Sequence, residues 1–220
     1  METKVNLPNK KFNQLGILEV FIFIVLALSF PGNVVSASIT AQVIDTAGMP
    51  VEDAVIFVTP TGGQSTNKPI RNGIVDQINK EFAPFLTAIQ LGASVTFPNK
   101  DNIRHHVYSF SPAKVFNLKL YSGVQASPVI FEKPGPVILG CNIHDKMLAY
   151  IYVVDTPYFA KTAKTGNVRI DDIAAGDYEV KIWHPNLEVS PDSQPVKLKT
   201  DVTEALKFNI KLSAKAPVKK

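Results

Sequence analysis

From residue 38 onward, apolar positions recur mainly every second residue, which is the strand period. Residues 39–43 (Ile-Thr-Ala-Gln-Val) alternate, and residues 46–50 (Thr-Ala-Gly-Met-Pro) supply a turn. Residues 54–58 form an unbroken apolar run, the pattern of a buried strand. Residues 61–73 are polar and rich in turn formers, so a loop or domain boundary falls there. A second block starts near Ile74, where Phe82-Ala83-Pro84-Phe85 leads into the apolar stretch 86–91. Further strands are predicted at 95–97, 107–110, 115–121, 129–131, 137–139 and 147–153. The polar stretch 99–104 reads as a loop and Lys133-Pro134-Gly135 as a turn. A third block follows Thr156, with strands at 167–170, 178–182, 196–198 and 206–212. No stretch carries the pattern of a long amphipathic helix. The prediction is an all-β fold made of two sandwiches.

The first 37 residues have a different character. Lys4, Lys10 and Lys11 form a basic start, an apolar run covers 20–28, Pro31-Gly32 breaks it, and Val35-Ser36-Ala37 offers small residues. This is the pattern of an export signal over 1–37, cleaved after Ala37; an uncleaved anchor is the alternative. The run is short of the roughly 20 apolar residues that a transmembrane span needs. A periplasmic or secreted protein without a stable membrane span is therefore expected. Cleavage leaves 183 residues with 20 basic and 17 acidic side chains, a net charge of +3. That charge is mild, and the chain has no basic run beyond the Lys-rich tail at 214–220, so nucleic-acid binding is not expected. Hydrophobic residues at 45% and charged residues at 19% suit a globular core and exclude wholesale disorder.

One cysteine in 220 residues excludes a disulfide scaffold and leaves an exported thiol to be explained. Cys141, His144 and Met147 share seven residues between two strand-like runs, so a strand-loop-strand unit can aim all three at one centre. Either histidine of the pair His105-His106, at the start of another strand, would complete a set of two imidazoles, a thiolate and a thioether. Copper in an electron-transfer site suits that set, whereas zinc rarely recruits Met.

Residues 74–154 carry a resemblance. Phe82-Ala83-Pro84, Gly92-Ala93-Ser94-Val95-Thr96-Phe97, Asn99-Lys100-Asp101 followed by His105-His106-Val107, and Cys141-x-x-His144-x-x-Met147 occur in the order found in cupredoxins. The stretch resembles the plastocyanin/amicyanin family of type 1 copper proteins. The whole chain resembles exported plastocyanin-like proteins labelled methylamine utilisation proteins, a label that implies no role here. The resemblance implies a Greek-key sandwich, one copper per chain, and His105, Cys141, His144 and Met147 as ligands, with His105 preferred over His106 because it precedes x-Val. It also implies that Asn99 ties the first His loop to the Cys strand, that His144 lies nearest the surface, and that Ile143 belongs to an apolar docking patch. Many relatives carry Pro beside the second His, where this chain has Ile143 and Asp145. A carboxylate there bears on the potential and the partner surface.

The flanks resemble a carboxypeptidase-regulatory-like (transthyretin-like) sandwich, in residues 41–51 with Ala54-Val55, and in 165–170 with 175–180. Too few strands lie on either side for a sandwich alone, so 38–60 and 156–213 are expected to form one, with the cupredoxin of 74–154 inserted. His106 reads as a strand residue near the site, His184 as structural and Met49 as a turn residue. A Cys-His nucleophile finds no supporting context, and Met147 fills the position an oxidase would leave open. The expected function is a non-enzymatic carrier of single electrons, with a partner such as a c-type cytochrome or a dehydrogenase. Copper storage or delivery is the alternative, and an adhesion-like role for the flanking sandwich is a third reading.

Overall fold

Ile39, Ala41 and Val43 are buried while Gln42 between them is exposed, so the two-residue period of the sequence becomes one inward face of a strand. A computed structural model of the protein describes residues 36–62, 68–124, 127–144 and 146–213. Most of the predicted export signal, Asp145 and the Lys-rich tail lie outside the described residues. No helix among them is long and apolar enough to cross a membrane.

The described residues form strands and no helix. The first two are β1 (Ala37–Asp45) and β2 (Val55–Pro60). Next come β3 (Gly73–Ile74), β4 (Asp76–Ile78), β5 (Glu81–Ala83), β6 (Leu86–Gln90), β7 (Ser94–Thr96) and β8 (His105–Ser111). They are followed by β9 (Lys114–Tyr121), β10 (Val129–Ile130), β11 (Gly135–Gly140) and β12 (Leu148–Val154). The last five are β13 (Phe159–Lys161), β14 (Asn167–Ile173), β15 (Gly176–Trp183), β16 (Gln194–Leu198) and β17 (Thr203–Ile210). β1 opens at Ala37, the residue after which cleavage is expected.

Two sandwiches result. In the first, a sheet of order β14-β1-β17 faces a sheet of order β13-β2-β15-β16. They share one apolar core that includes Ile39, Val43, Ile56, Val58, Ile170, Tyr178, Val180 and Phe208. Burying each such aliphatic or aromatic side chain contributes about 1.5–3 kcal/mol. β1 pairs antiparallel with β14 and parallel with β17, so the first and last described strands lie side by side in one sheet. The second sandwich lies wholly between β2 and β13 in sequence. Its sheets have the orders β6-β12-β11-β8-β9 and β10-β7-β3, with β4-β5 as a separate hairpin. The chain passes between these sheets at β6–β7, β7–β8, β9–β10 and β10–β11, a Greek-key style of connection. β10 and β11 thus belong to different sheets, and Lys133-Pro134-Gly135 lies on a crossover between them. Phe97, Phe131, Val107, Leu139 and Ile151 fill the core.

The unbroken apolar runs find their reason at the junction of the two sandwiches. In β2, Ile56 and Val58 face the first core, while Val55 and Phe57 face a third cluster. In β12, Ala149, Ile151 and Val153 face the second core, while Tyr150 and Val154 join that same third cluster. Both strands are covered on both faces. Trp183 stacks on Tyr152 with ring centroids 4.4 Å apart, and the Lys161 ammonium bridges Asp53 at 2.7 Å and the Leu86 carbonyl at 2.9 Å.

Gly166 shows how tightly the first sandwich closes. It has φ +72°, its carbonyl accepts the Val43 N–H at 2.8 Å, and an added Cβ would run into the Val43 carbonyl oxygen. Gly166→Ala should cost about 3 kcal/mol, from the left-handed backbone together with the clash. The fall in the denaturation midpoint measures it. An unchanged midpoint would show that the turn relaxes freely.

Candidate metal centre

β8 carries two adjacent histidines, and strand alternation sends them opposite ways. The His106, Tyr108 and Phe110 rings form a ladder with centroids 5.3 and 5.1 Å apart. His106 spends its Nε2 on Asn117 Oδ1 at 2.6 Å. The His105 ring is fully buried and lies 4.0 Å from Cys141, measured from Nδ1 to Sγ. Cys141 follows β11 directly. Gly140 pairs with Tyr108 across β11 and β8, which brings the end of β11 alongside the start of β8. An added Cβ at Gly140 would meet the far end of the Tyr108 ring at 2.7 Å, so glycine there leaves room for that ring to lie across β11.

The loop between β11 and β12 then turns back. His144 brings its ring centroid to 5.0 Å from that of His105. Ligand atoms of His105, Cys141 and His144 all lie within 4.8 Å of one another. Of the three, His105 and Cys141 are buried and His144 is half-buried. Among the described residues His144 Nδ1 is buried with no hydrogen-bond partner, which is a defect in a closed protein interior unless something else meets it. Two imidazoles and one thiolate donor at this spacing fit a copper or other soft-metal ion. Met147 is 2% exposed, shares the apolar cluster of Cys141, and donates its N–H to the His144 carbonyl at 2.9 Å. Cys141 is a free thiol. His184 and Met49 lie elsewhere. His184 is buried, accepts the Asn186 N–H, and is held below its usual pKa by that burial, while Met49 is 61% exposed.

Asn99 plays a different part from the one expected. Its Nδ2 donates to the Ile103 carbonyl at 2.8 Å and the Tyr121 carbonyl at 2.9 Å. It therefore ties the His105 loop to β9, not to the Cys141 strand. The reason is register: Tyr121, the last residue of β9, sits opposite His105.

Three residues near the group carry no role in the sequence reading. Asp101 Oδ2 lies 2.7 Å from His105 Nε2. Burial alone would raise the Asp101 pKa, but the N–H groups of Lys80 and Asn79 and the His105 ring hold the carboxyl below its ordinary value. Tyr121 donates its hydroxyl to the Phe97 carbonyl and accepts from Gln77. Burial pushes the phenol up to about 12, against the Gln77 hydrogen bond, which lowers it. Asp101 could have been found from its place four residues before His105; Tyr121 and Gln77 leave no mark in a single sequence.

No protein-family model matches the chain, and no curated protein sequence matches it. The chain is similar to a purple cupredoxin from Nitrosopumilus maritimus at 20% identity, over 38% of this chain and 100% of that one, with a TM-score of 0.34. It is similar to an amicyanin variant in its Cu(I) form at 16% identity, over 47% of this chain and 100% of that one, with a TM-score of 0.35. A copper-containing nitrite reductase from Thermus scotoductus SA-01 matches at 20% identity, over 51% of this chain and 28% of that one, with a TM-score of 0.36.

Asn99→Ala removes both donors from two inward carbonyls. It should cost about 2 kcal/mol in chemical denaturation and weaken metal binding about tenfold in a competition titration with a chelator. Full stability and full affinity together would contradict the anchoring role.

Proposed function

We propose that this protein is a type 1 copper protein that carries single electrons between extracytoplasmic redox proteins. The observation that carries the reading is the convergence of His105, Cys141 and His144 within 4.8 Å at one end of a β-sandwich. Copper held there would supply one-electron chemistry. In this reading Cys141 would hold the copper as a thiolate, His105 and His144 through their imidazoles, and Met147 through its thioether.

The surroundings suit such a role. Cys141 and His105 sit against a packed apolar core, which holds nearly one geometry and keeps disulfide partners away from the thiol. His144 alone of the three reaches toward solvent, and its neighbour Ile143 is 48% exposed. An electron would enter and leave by that edge, with Ile143 as part of an apolar contact. We read the partner as a redox protein such as a c-type cytochrome or a dehydrogenase, and the protein as a carrier that turns over no substrate. The basic and apolar pattern of residues 1–37 supports export, and a metal-bound thiolate is compatible with an oxidising compartment.

Reconstitution with Cu(II) tests the reading. The purified protein should develop an intense visible thiolate-to-copper absorption band, and Cys141→Ala should abolish it. A protein that binds Cu(II) without that band, or a band that survives the substitution, overturns the assignment.

A further inference from the structure

The β4–β5 hairpin lies outside both main sheets, yet it is fastened to the loop that leads into His105. The Gln77 N–H donates to the Pro98 carbonyl at 2.8 Å, and the Lys100 N–H donates to the Gln77 carbonyl at 2.8 Å. Lys100 also reaches back to Asp76 at 2.6 Å, and Gln77 Nε2 donates to the Phe97 carbonyl at 3.0 Å. β4 therefore runs along residues 97–100 as a short extra strand.

The turn of this hairpin is unusual. Asn79 and Lys80 both have positive φ, 56° and 59°. This is the type I′ geometry, and a lysine adopts it at a cost of about 1 kcal/mol. The conformation points two consecutive N–H groups at one carboxylate. Asn79 donates to Asp101 Oδ1 at 2.7 Å and Lys80 donates to Asp101 Oδ2 at 2.9 Å. The Asp101 N–H is itself taken by Asn99 Oδ1 at 3.0 Å. Among the described residues the carboxylate has one further hydrogen-bond partner, His105 Nε2 at 2.7 Å.

An ionised carboxylate can only accept, so Nε2 must be the nitrogen that carries hydrogen. In the neutral imidazole the lone pair then falls on Nδ1, the atom that faces Cys141 Sγ at 4.0 Å. A carboxylate bonded to the far nitrogen of a ligating imidazole also makes that ligand more basic. We propose that the β4–β5 hairpin is a positioning clamp: through Asp101 it fixes the tautomer and aim of His105, and the added negative charge favours the more oxidised metal and lowers the reduction potential of the centre. The tautomer part stands on the protein alone; the potential part rests on the copper reading above.

Two measurements separate these parts. In the metal-free full-length protein, nitrogen-15 NMR should show His105 as the Nε2–H tautomer, and Asp101→Ala should lose that preference. In the copper-loaded protein, Asp101→Asn, which keeps the shape but drops the charge, should raise the Cu(I) to Cu(II) ratio at a fixed ambient potential about tenfold, or roughly 59 mV for a one-electron couple. An Nδ1–H tautomer in the wild-type protein overturns the clamp, and a potential unmoved by Asp101→Asn in a folded, copper-loaded variant overturns its effect on the potential. A wild-type protein that shows the Nε2–H tautomer but takes up no copper supports the positioning role and counts against the electron-carrier reading alone.

Discussion

The fully buried His105 ring is held from both sides, by Asp101 at Nε2 and by the Cys141 sulfur facing Nδ1. A buried imidazole with an unsatisfied nitrogen costs free energy comparable to a lost hydrogen bond. The ring's orientation is therefore decided by where an acceptor is placed, and Asp101 is placed by two backbone N–H groups of a strained turn. The cost of that turn is small beside the price of a misdirected ligand.

The second constraint lies at the other end of the site loop. Met147 is followed at once by β12, one of two strands covered on both faces. Tyr150 and Tyr152 on its outer face meet Trp183 of the first sandwich. The loop that bears Cys141 and His144 is therefore anchored by the apolar contact between the two sandwiches as well as by its own core. Lys161, spanning Asp53 and the Leu86 carbonyl, adds a polar tie across the same junction. The first sandwich in this way stiffens the base of the site without supplying a ligand.

Period-two patterning was enough to read β1, β9, β12 and β15, because each exposes one face or presents a full apolar run. Residue order placed Cys141, His144 and Met147 on one loop, and the side-to-side alternation of a strand accounts for His105 and His106 pointing to opposite faces. The β4–β5 hairpin escaped because its strands are only three residues long, too short to show a period, and its turn, Asn79-Lys80, lacks the glycine that marks such geometry. β13 escaped for a similar reason of length. The place of Asp101 four residues before His105 is visible in the sequence, but what holds its carboxylate is not, because Asn79 and Lys80 lie 22 and 21 residues away in an element that the pattern does not reveal. The neighbour of Asn99 differs from the expected one because β8 has a strand on each side, and it is Tyr121 of β9 that sits opposite His105 and brings its carbonyl within reach.

Copper-edge X-ray absorption on the full chain loaded with one equivalent of copper decides whether Cys141, His105 and His144 hold the metal. The account predicts one short copper–sulfur path together with imidazole scattering from two rings, and loss of the short sulfur path in Cys141→Ser with the imidazole pattern kept. Copper surrounded by nitrogen and oxygen alone in the unaltered protein would contradict it.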